Sequence, residues 1–447
     1  MPAHIDAITP EKLARPTFGI NHILAYGQSL SCGWDGWPIL SATPRHDSLM
    51  LGQSVHPRDH EAPSWFPVGP PRFHPLIATM QTLGSGHPLE TGQPGSGDTA
   101  VGETILETAL NEWRGRALAA GDASIGLRRL LASSCGMGSR SIEELSAQAD
   151  PNLFQRLRHC AETARDAAHT IGQSYGIVAL VLLQGEANNL ALGTASADAK
   201  SYASHLRDLC ADFRADAHTV TSCPSPPAIF TYQTGGAYAT DANPIPQAQL
   251  NAALESPAFV MVSPVYYLPH TPSGRLDANG YRWLGAQFGK VMHRVLDRGE
   301  IFRPTHPIHA WCDDARVTIA FHVPAPPLVW GHPYPGNPSA NIVNRGFVVS
   351  DDLGEIPIVS VQLIGPETLQ IDLERPPSGS AVIRYARAAT AGRGCLHDSD
   401  PDQSFTRYTI NPKARTGFQT PAPELEGKPH ALPNWCAAFT LKTAAAV

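Results

Sequence analysis

The stretch YGIVALVLLQGEANN, Tyr175–Asn189, decides the architecture. Its first nine residues carry no charge and are apolar at odd and even positions alike. A strand with one solvated face alternates apolar and polar residues; one that is apolar on both faces needs cover on both, as in a parallel sheet under helices. The apolar run then stops at Gln184-Gly185-Glu186. Polar side chains directly after such a strand lie at the edge where open α/β sheets bind ligands.

The flanking sequence fits that frame. PNLFQRLRHCAETARDAAHTIG (151–172) and AKSYASHLRDLCADFRADA (199–217) have apolar residues at helical spacing, as do AVGETILETALNEWRGRALAAG (100–121) and NGYRWLGAQFGKVMHRVLDRG (279–299). Between them NHILAYGQS, GLRRLLASS, PPAIFTYQTGG and AFVMVSPVYYLPH read as strands. Alternating strands and helices predict an α/β fold with a parallel sheet covered by helices. From Trp34 to Gly97 the chain is rich in Pro, Gly, His and Trp and reads as one long irregular segment, of the kind that covers or forms a site. After RPTHPIHAW the texture changes: ARVTIAFHV, FVVSDD, PIVSVQLIG, TLQIDLE and SAVIRYARA are short alternating strands split by Gly, Pro and Asp. They predict an antiparallel β module with an irregular tail, in which NWCAAFTL can return as one more strand. The expected boundary is near Arg303, giving units 1–303 and 304–447.

Composition narrows the function. A chain of 447 residues is too long for one core. Only 16% of residues are charged and the net charge is −7 with no basic stretch, which argues against nucleic acid as a partner. No apolar run approaches the roughly 20 residues of a membrane helix. The N-terminus lacks a basic segment followed by an apolar one, so the expected location is cytoplasmic. Eight scattered cysteines without a CxxC pair predict free thiols rather than a zinc knuckle or a disulfide framework. No His/Asp/Glu group has metal-ligand spacing, and neither a metal nor a cofactor is implied.

Three segments carry chemistry. In HILAYGQSLSCGWDG (22–36), Ser29 follows a strand and a glycine. Such a turn can expose a nucleophilic hydroxyl beside backbone N–H groups; it also suits an ordinary turn or cap serine. In CGMGSRSIEEL (135–145), two glycines let amides face a ligand, while Ser141 and Glu144 have the spacing of a capping box. Gln184 and Glu186 of LLQGEANN are site candidates, or solvated loop residues. Trp34 and Asp35, in WDGWP beside Ser29, suit a sugar ring, or simple core packing.

GQSLSCG, GMGSRSIEEL, QGEANN and NGYRWLGAQFGKVM, in that order over residues 20–295, resemble the blocks of the SGNH (GDSL-like) hydrolases. The branch most similar contains sialate O-acetylesterases and acetylxylan esterases, and its trailing β module is similar too. The resemblance implies a three-layer α/β domain acting on a carbohydrate substrate. It implies Ser29 as nucleophile, with Ser29 N–H, Gly138 N–H and the Gln184 side chain as oxyanion donors and Glu186 as the acidic residue orienting the site. It also exposes a departure. Counting back from Gly280-Tyr281, the family's histidine falls on Arg275 and its aspartate on Pro272. An arginine stays protonated and cannot serve as a general base.

Two outcomes are open. His270, five residues earlier, can act as the base of a Ser–His dyad with Tyr267 where the aspartate would be. Alternatively, the ester chemistry is abandoned: Asp35, Glu186 and Asp277 then offer carboxylates for glycoside cleavage or transglycosylation, with Arg275 binding substrate. A carbohydrate-binding protein without turnover is the third reading. The expectation carried forward is a carbohydrate-active hydrolase, first of all a serine esterase removing O-acyl groups.

Overall fold

A computed structural model describes residues 9–83, 86–89, 100–122, 126–334, 342–410 and 421–444. Its centre is a seven-stranded sheet. Strands β1 (Ile20–Gly27), β2 (Leu49–Leu51) and β3 (Phe73–Pro75) come first in the chain. A two-residue hairpin, β4 (Gln81–Thr82) with β5 (Ala100–Val101), stands apart from this sheet. Then come β6 (Arg129–Ser134), β7 (Tyr175–Leu183), β8 (Ala228–Gln233) and β9 (Phe259–Pro264). The spatial order is β3-β2-β6-β1-β7-β8-β9, and every pairing is parallel except β2 with β3.

Strand β7 is buried at all nine positions. Each Val, Leu or Ile taken fully out of water there contributes about 1.5–3 kcal/mol, which is why the run holds the middle of the sheet. Helices α1 (Ile105–Ala119) and α7 (Ala278–Met292) pack together on one face. On the other lie α3 (Gln155–Thr170), α5 (Ala199–Thr221) and α6 (Pro244–Glu255). The two short helices α2 (Ile142–Leu145) and α4 (Glu186–Asn189) sit in the loops after β6 and β7.

The irregular reading of residues 34–97 is corrected in part. β2 and β3 form within it and extend the sheet. Each has three residues, too few to display any periodicity, and their pairing comes from the neighbouring β6 rather than from local pattern.

From His306 onward the chain is antiparallel. Strands β10 (His306–Asp313), β11 (Arg316–His322), β15 (Ile358–Gly365) and β16 (Thr368–Leu373) make one sheet in the order β10-β11-β16-β15. Strands β13 (Phe347–Asp351), β14 (Gly354–Ile356), β17 (Val382–Tyr385) and β21 (Phe439–Lys442) make a second, ordered β14-β13-β17-β21. Two small ladders, β12 (Val329–Trp330) with β18 (Leu396–His397) and β19 (Gln403–Arg407) with β20 (Pro429–Ala431), complete the module. It is fastened to the α/β domain by buried contacts. Trp435 stacks on Tyr267 with centroids 4.8 Å apart, and the Tyr266 hydroxyl donates to Cys436 O at 2.7 Å. The ammonium of Lys290, 1% exposed, bonds Leu432 O, Asn434 Oδ1 and Asp400 Oδ2. All eight cysteines are free thiols. Among the described residues no helix is long and apolar enough to cross a membrane.

Candidate functional site

The site begins where β1 ends. Gly27 has φ +134°, and a Cβ there would lie 2.0 Å from Leu183 O, so only glycine lets the chain turn against β7. Gln28 N then bonds Leu183 O, and Ser29–Cys32 winds into a 3₁₀ turn closed by Gly33 in the left-handed region. Ser29 is 5% exposed. Among the described residues, neither its N–H nor its Oγ has a hydrogen-bond partner.

The loop after β6 lies alongside. Cys135 N donates to Ala25 O and Met137 N to Gly27 O, while Ser134 Oγ bonds Ser31 O. A Cβ on Gly136 would meet Ser31 Oγ at 1.9 Å, so the two loops touch backbone to side chain. One residue on, the N–H of Gly138 has no acceptor among the described residues, and the indole of Trp34 packs over its Cα. Ser141 and Glu144 form the capping box of α2.

At the end of β7, Gln184 is buried. Its Nε2 donates to Asn188 Oδ1 at 2.7 Å, with Arg140 O and Gln28 Oε1 farther away at 3.3 and 3.5 Å; its Oε1 is buried without a partner. Glu186 is buried too. The Tyr232 hydroxyl donates to its Oε2, and its Oε1 has no partner. Burial raises the Glu186 pKa above the usual carboxylate range, against the pull of Tyr232 and Thr234 and the charge of Arg275.

The segment after β9 supplies the rest. Arg275 stacks on the Trp34 ring, its guanidinium carbon 5.0 Å from the centroid, and pairs with Asp35 Oδ2 at 3.4 Å. The same Asp35 oxygen accepts from Thr271 Oγ1 at 3.2 Å and from Ser273 Oγ, so one carboxylate holds three side chains of this loop. Trp34 is anchored by its carbonyl, which takes the Tyr281 hydroxyl at 2.8 Å. The structure thus gathers Ser29, Gly138 and Trp34 around adjoining loops, with Asp35 and Arg275 bonded beside them and Glu186 within reach of the Arg275 charge.

Among the described residues, two candidates make no hydrogen bond to Ser29. His270 is half-buried, with Nε2 3.5 Å from where a Cβ on Gly236 would be. Desolvation pushes its pKa down to about 4, a backbone hydrogen bond at Leu268 opposes this, and the charge that acts on it is that of Arg393. No hydrogen bond joins it to Ser29. Asp277 is the N-cap of α7: its Oδ1 accepts Gly280 N at 2.8 Å, its Oδ2 is buried without a partner, and burial raises its pKa to about 7.

Sequence reasoning passed over Gln28, Asn188, Tyr232 and Tyr238. Asn188 is the hub of the β7 loop: it accepts from Ile142 N and Gln184 and donates to Glu143 and Ser196 O. Its place inside QGEANN was the available signal. Tyr238, whose hydroxyl donates to Ser273 O at 3.1 Å, feels the charges of Glu186, Arg275 and Asp35. Among the described residues no group of His, Cys, Asp and Glu side chains could hold a metal ion.

No family model matches the chain, and no curated protein matches it. Solved structures do. A carbohydrate acetylesterase from Xanthomonas citri superposes with a TM-score of 0.54 over 95% of this chain and 81% of its own, at 14% identity. A protein from Arabidopsis thaliana gives 0.42 over 61% of this chain and 97% of its own, at 19% identity. What the first of these shares with the present chain is its fold, the parallel-sheet domain followed by the β module.

Proposed function

We propose that this chain is a carbohydrate esterase that removes O-acyl groups. One observation carries the reading: among the described residues a hydroxyl and two backbone N–H groups, those of Ser29 and Gly138, stand without partners where the ends of three neighbouring parallel strands meet. Ser29 is buried and Gly138 half-buried, and two such N–H groups left free beside a serine suit the oxyanion of a tetrahedral intermediate.

In this reading Ser29 Oγ attacks the acyl carbon and its proton passes to a base. The carbonyl oxygen becomes negative and takes the two N–H groups. Gln184 contributes a third donor: one N–H is held by Asn188, and the other has only the long contacts to Arg140 O and Gln28 Oε1. The sugar hydroxyl leaves with the proton, and water then hydrolyses the acyl-enzyme. His270 is neutral at pH 7 and so able to take that proton.

The position of Arg275 favours a second reading. Counted back from Gly280-Tyr281 it falls where the resemblance expects a histidine, and it is fixed by Asp35 and stacked on Trp34. An aromatic face next to a guanidinium–carboxylate pair binds a sugar without any turnover. Hydrolysis of 4-nitrophenyl acetate and of acetylated oligosaccharides by the wild type, Ser29→Ala and His270→Ala separates the two. Activity lost in both variants supports the esterase. A wild type that releases no acetate, yet binds oligosaccharide in calorimetry, removes it in favour of binding alone.

A further inference from the structure

Arg156 lies on the first turn of α3 and is 0% exposed. Its Nη1 donates to Gly136 O at 2.8 Å and its Nη2 to Asp59 O at 3.4 Å; its Nε is buried without a partner. Among the described residues no carboxylate pairs with it. Its titratable neighbours Tyr26, Cys32, Cys135 and His60 are held neutral: burial pushes the Cys32 thiol up to about 11 and His60 far down.

Everything about this placement is unfavourable for folding. A buried charge without a counter-ion costs several kcal/mol. The N-terminal end of a helix repels a cation. A core position in a helix facing the sheet is ordinarily apolar. What the guanidinium does hold is the loop that carries the free Gly138 N–H. Met137 N–H is tied to Gly27 O and Gly136 C=O to Arg156, so the single peptide group to which both belong, next to the one that carries Gly138 N–H, is pinned at both ends. The charge of Arg156 also reaches Cys32, in the same 3₁₀ turn as Ser29, and Cys135 at the root of the loop.

We infer that Arg156 is a positioning residue for the oxyanion site: it fixes the Gly136 carbonyl so that Gly138 N–H points at the acyl oxygen, and its unneutralised charge favours the negative intermediate over the neutral ester. This rests on the esterase reading for its catalytic part, while the positioning of the loop does not. A cation acting this way stabilises the transition state and leaves substrate binding alone.

The test uses the full chain, labelled with 15N-glycine, as wild type, Arg156→Met and Arg156→Lys. In Arg156→Met the Gly138 amide resonance should move and its hydrogen exchange should quicken. With 4-nitrophenyl acetate kcat should drop about 10–100-fold while KM stays within about twofold. Arg156→Lys keeps a cation and should regain part of kcat; it also covers the case in which the methionine variant does not fold. Unmoved Gly138 resonances, a methionine variant with kcat within twofold of wild type, or a lysine variant no better than methionine at equal melting temperature would each overturn the inference. A wild type without esterase activity, in which the Gly138 amide still shifts on substitution, overturns the esterase reading and the electrostatic half while the positioning of the loop stands.

Discussion

A histidine and an aspartate, seven residues apart, show how burial sets chemistry residue by residue. The imidazole of His270 is held near pKa 4 by desolvation. If it is the base of Ser29, the neutral form is the active one, and kcat/KM must fall as pH drops through about 4 rather than near the ordinary value of about 6.5. A plateau down to pH 5 is the expected profile; a break near 6.5 would point to another group or to a ring that is solvated when it acts. Asp277 goes the other way, with its folded pKa raised to about 7. Between the unfolded value of about 3.9 and 7, the folded chain binds the extra proton, so stability is greatest at the acid end and falls as pH rises across that interval. The slope is at most about 1.4 kcal/mol per pH unit. Asp277→Asn keeps the cap and removes the titration. Its melting temperature should match the wild type near pH 4 and exceed it above pH 7; equal pH slopes in the two proteins would refute this.

At the scale of elements, the α/β core was legible because long strands and helices advertise themselves by period. YGIVALVLL became β7 residue for residue, and NHILAYG accounts for all but the first residue of β1. β2 and β3 were not legible, because three residues have no period. For the candidate site, the sequence marks its loops and not their contacts. Glycines and a serine at strand ends mark where a backbone turns, but nothing in PSGRLDANG tells that Arg275 lies across Trp34, or that His270 faces Gly236. Those facts depend on how loops from distant parts of the chain pack. The turn before Ser29 is where element and site meet. Gly27→Ala places a methyl against Leu183 O in a conformation that L residues avoid. It should cost more than about 2 kcal/mol and lower esterase activity with it. An unchanged denaturation midpoint would show that β1 can end without this contact.

For the whole molecule the question is whether residues 1–303 stand alone. Cutting there leaves the face of Tyr267 that stacks on Trp435 and the face of Trp283 that stacks on His430 without cover. It also removes all three partners of the buried Lys290 ammonium, which lie between Asp400 and Asn434. A 1–303 fragment should therefore be insoluble or molten; a soluble fragment with a cooperative melt and full activity would show two independent units. The pairing of Gln233 with Ala438 extends the point. The Gln233 amide at the end of β8 exchanges two hydrogen bonds, 2.9 and 2.7 Å, with a backbone 205 residues further along. Translation at about 5–20 residues per second separates the two by roughly 10–40 s on the ribosome. Throughout that delay the nascent α/β sheet carries an unclosed rim, with Tyr266 and Tyr267 bare beside it. Until that backbone emerges the domain cannot close, and it offers a chaperone an aromatic patch beside the open end of its sheet.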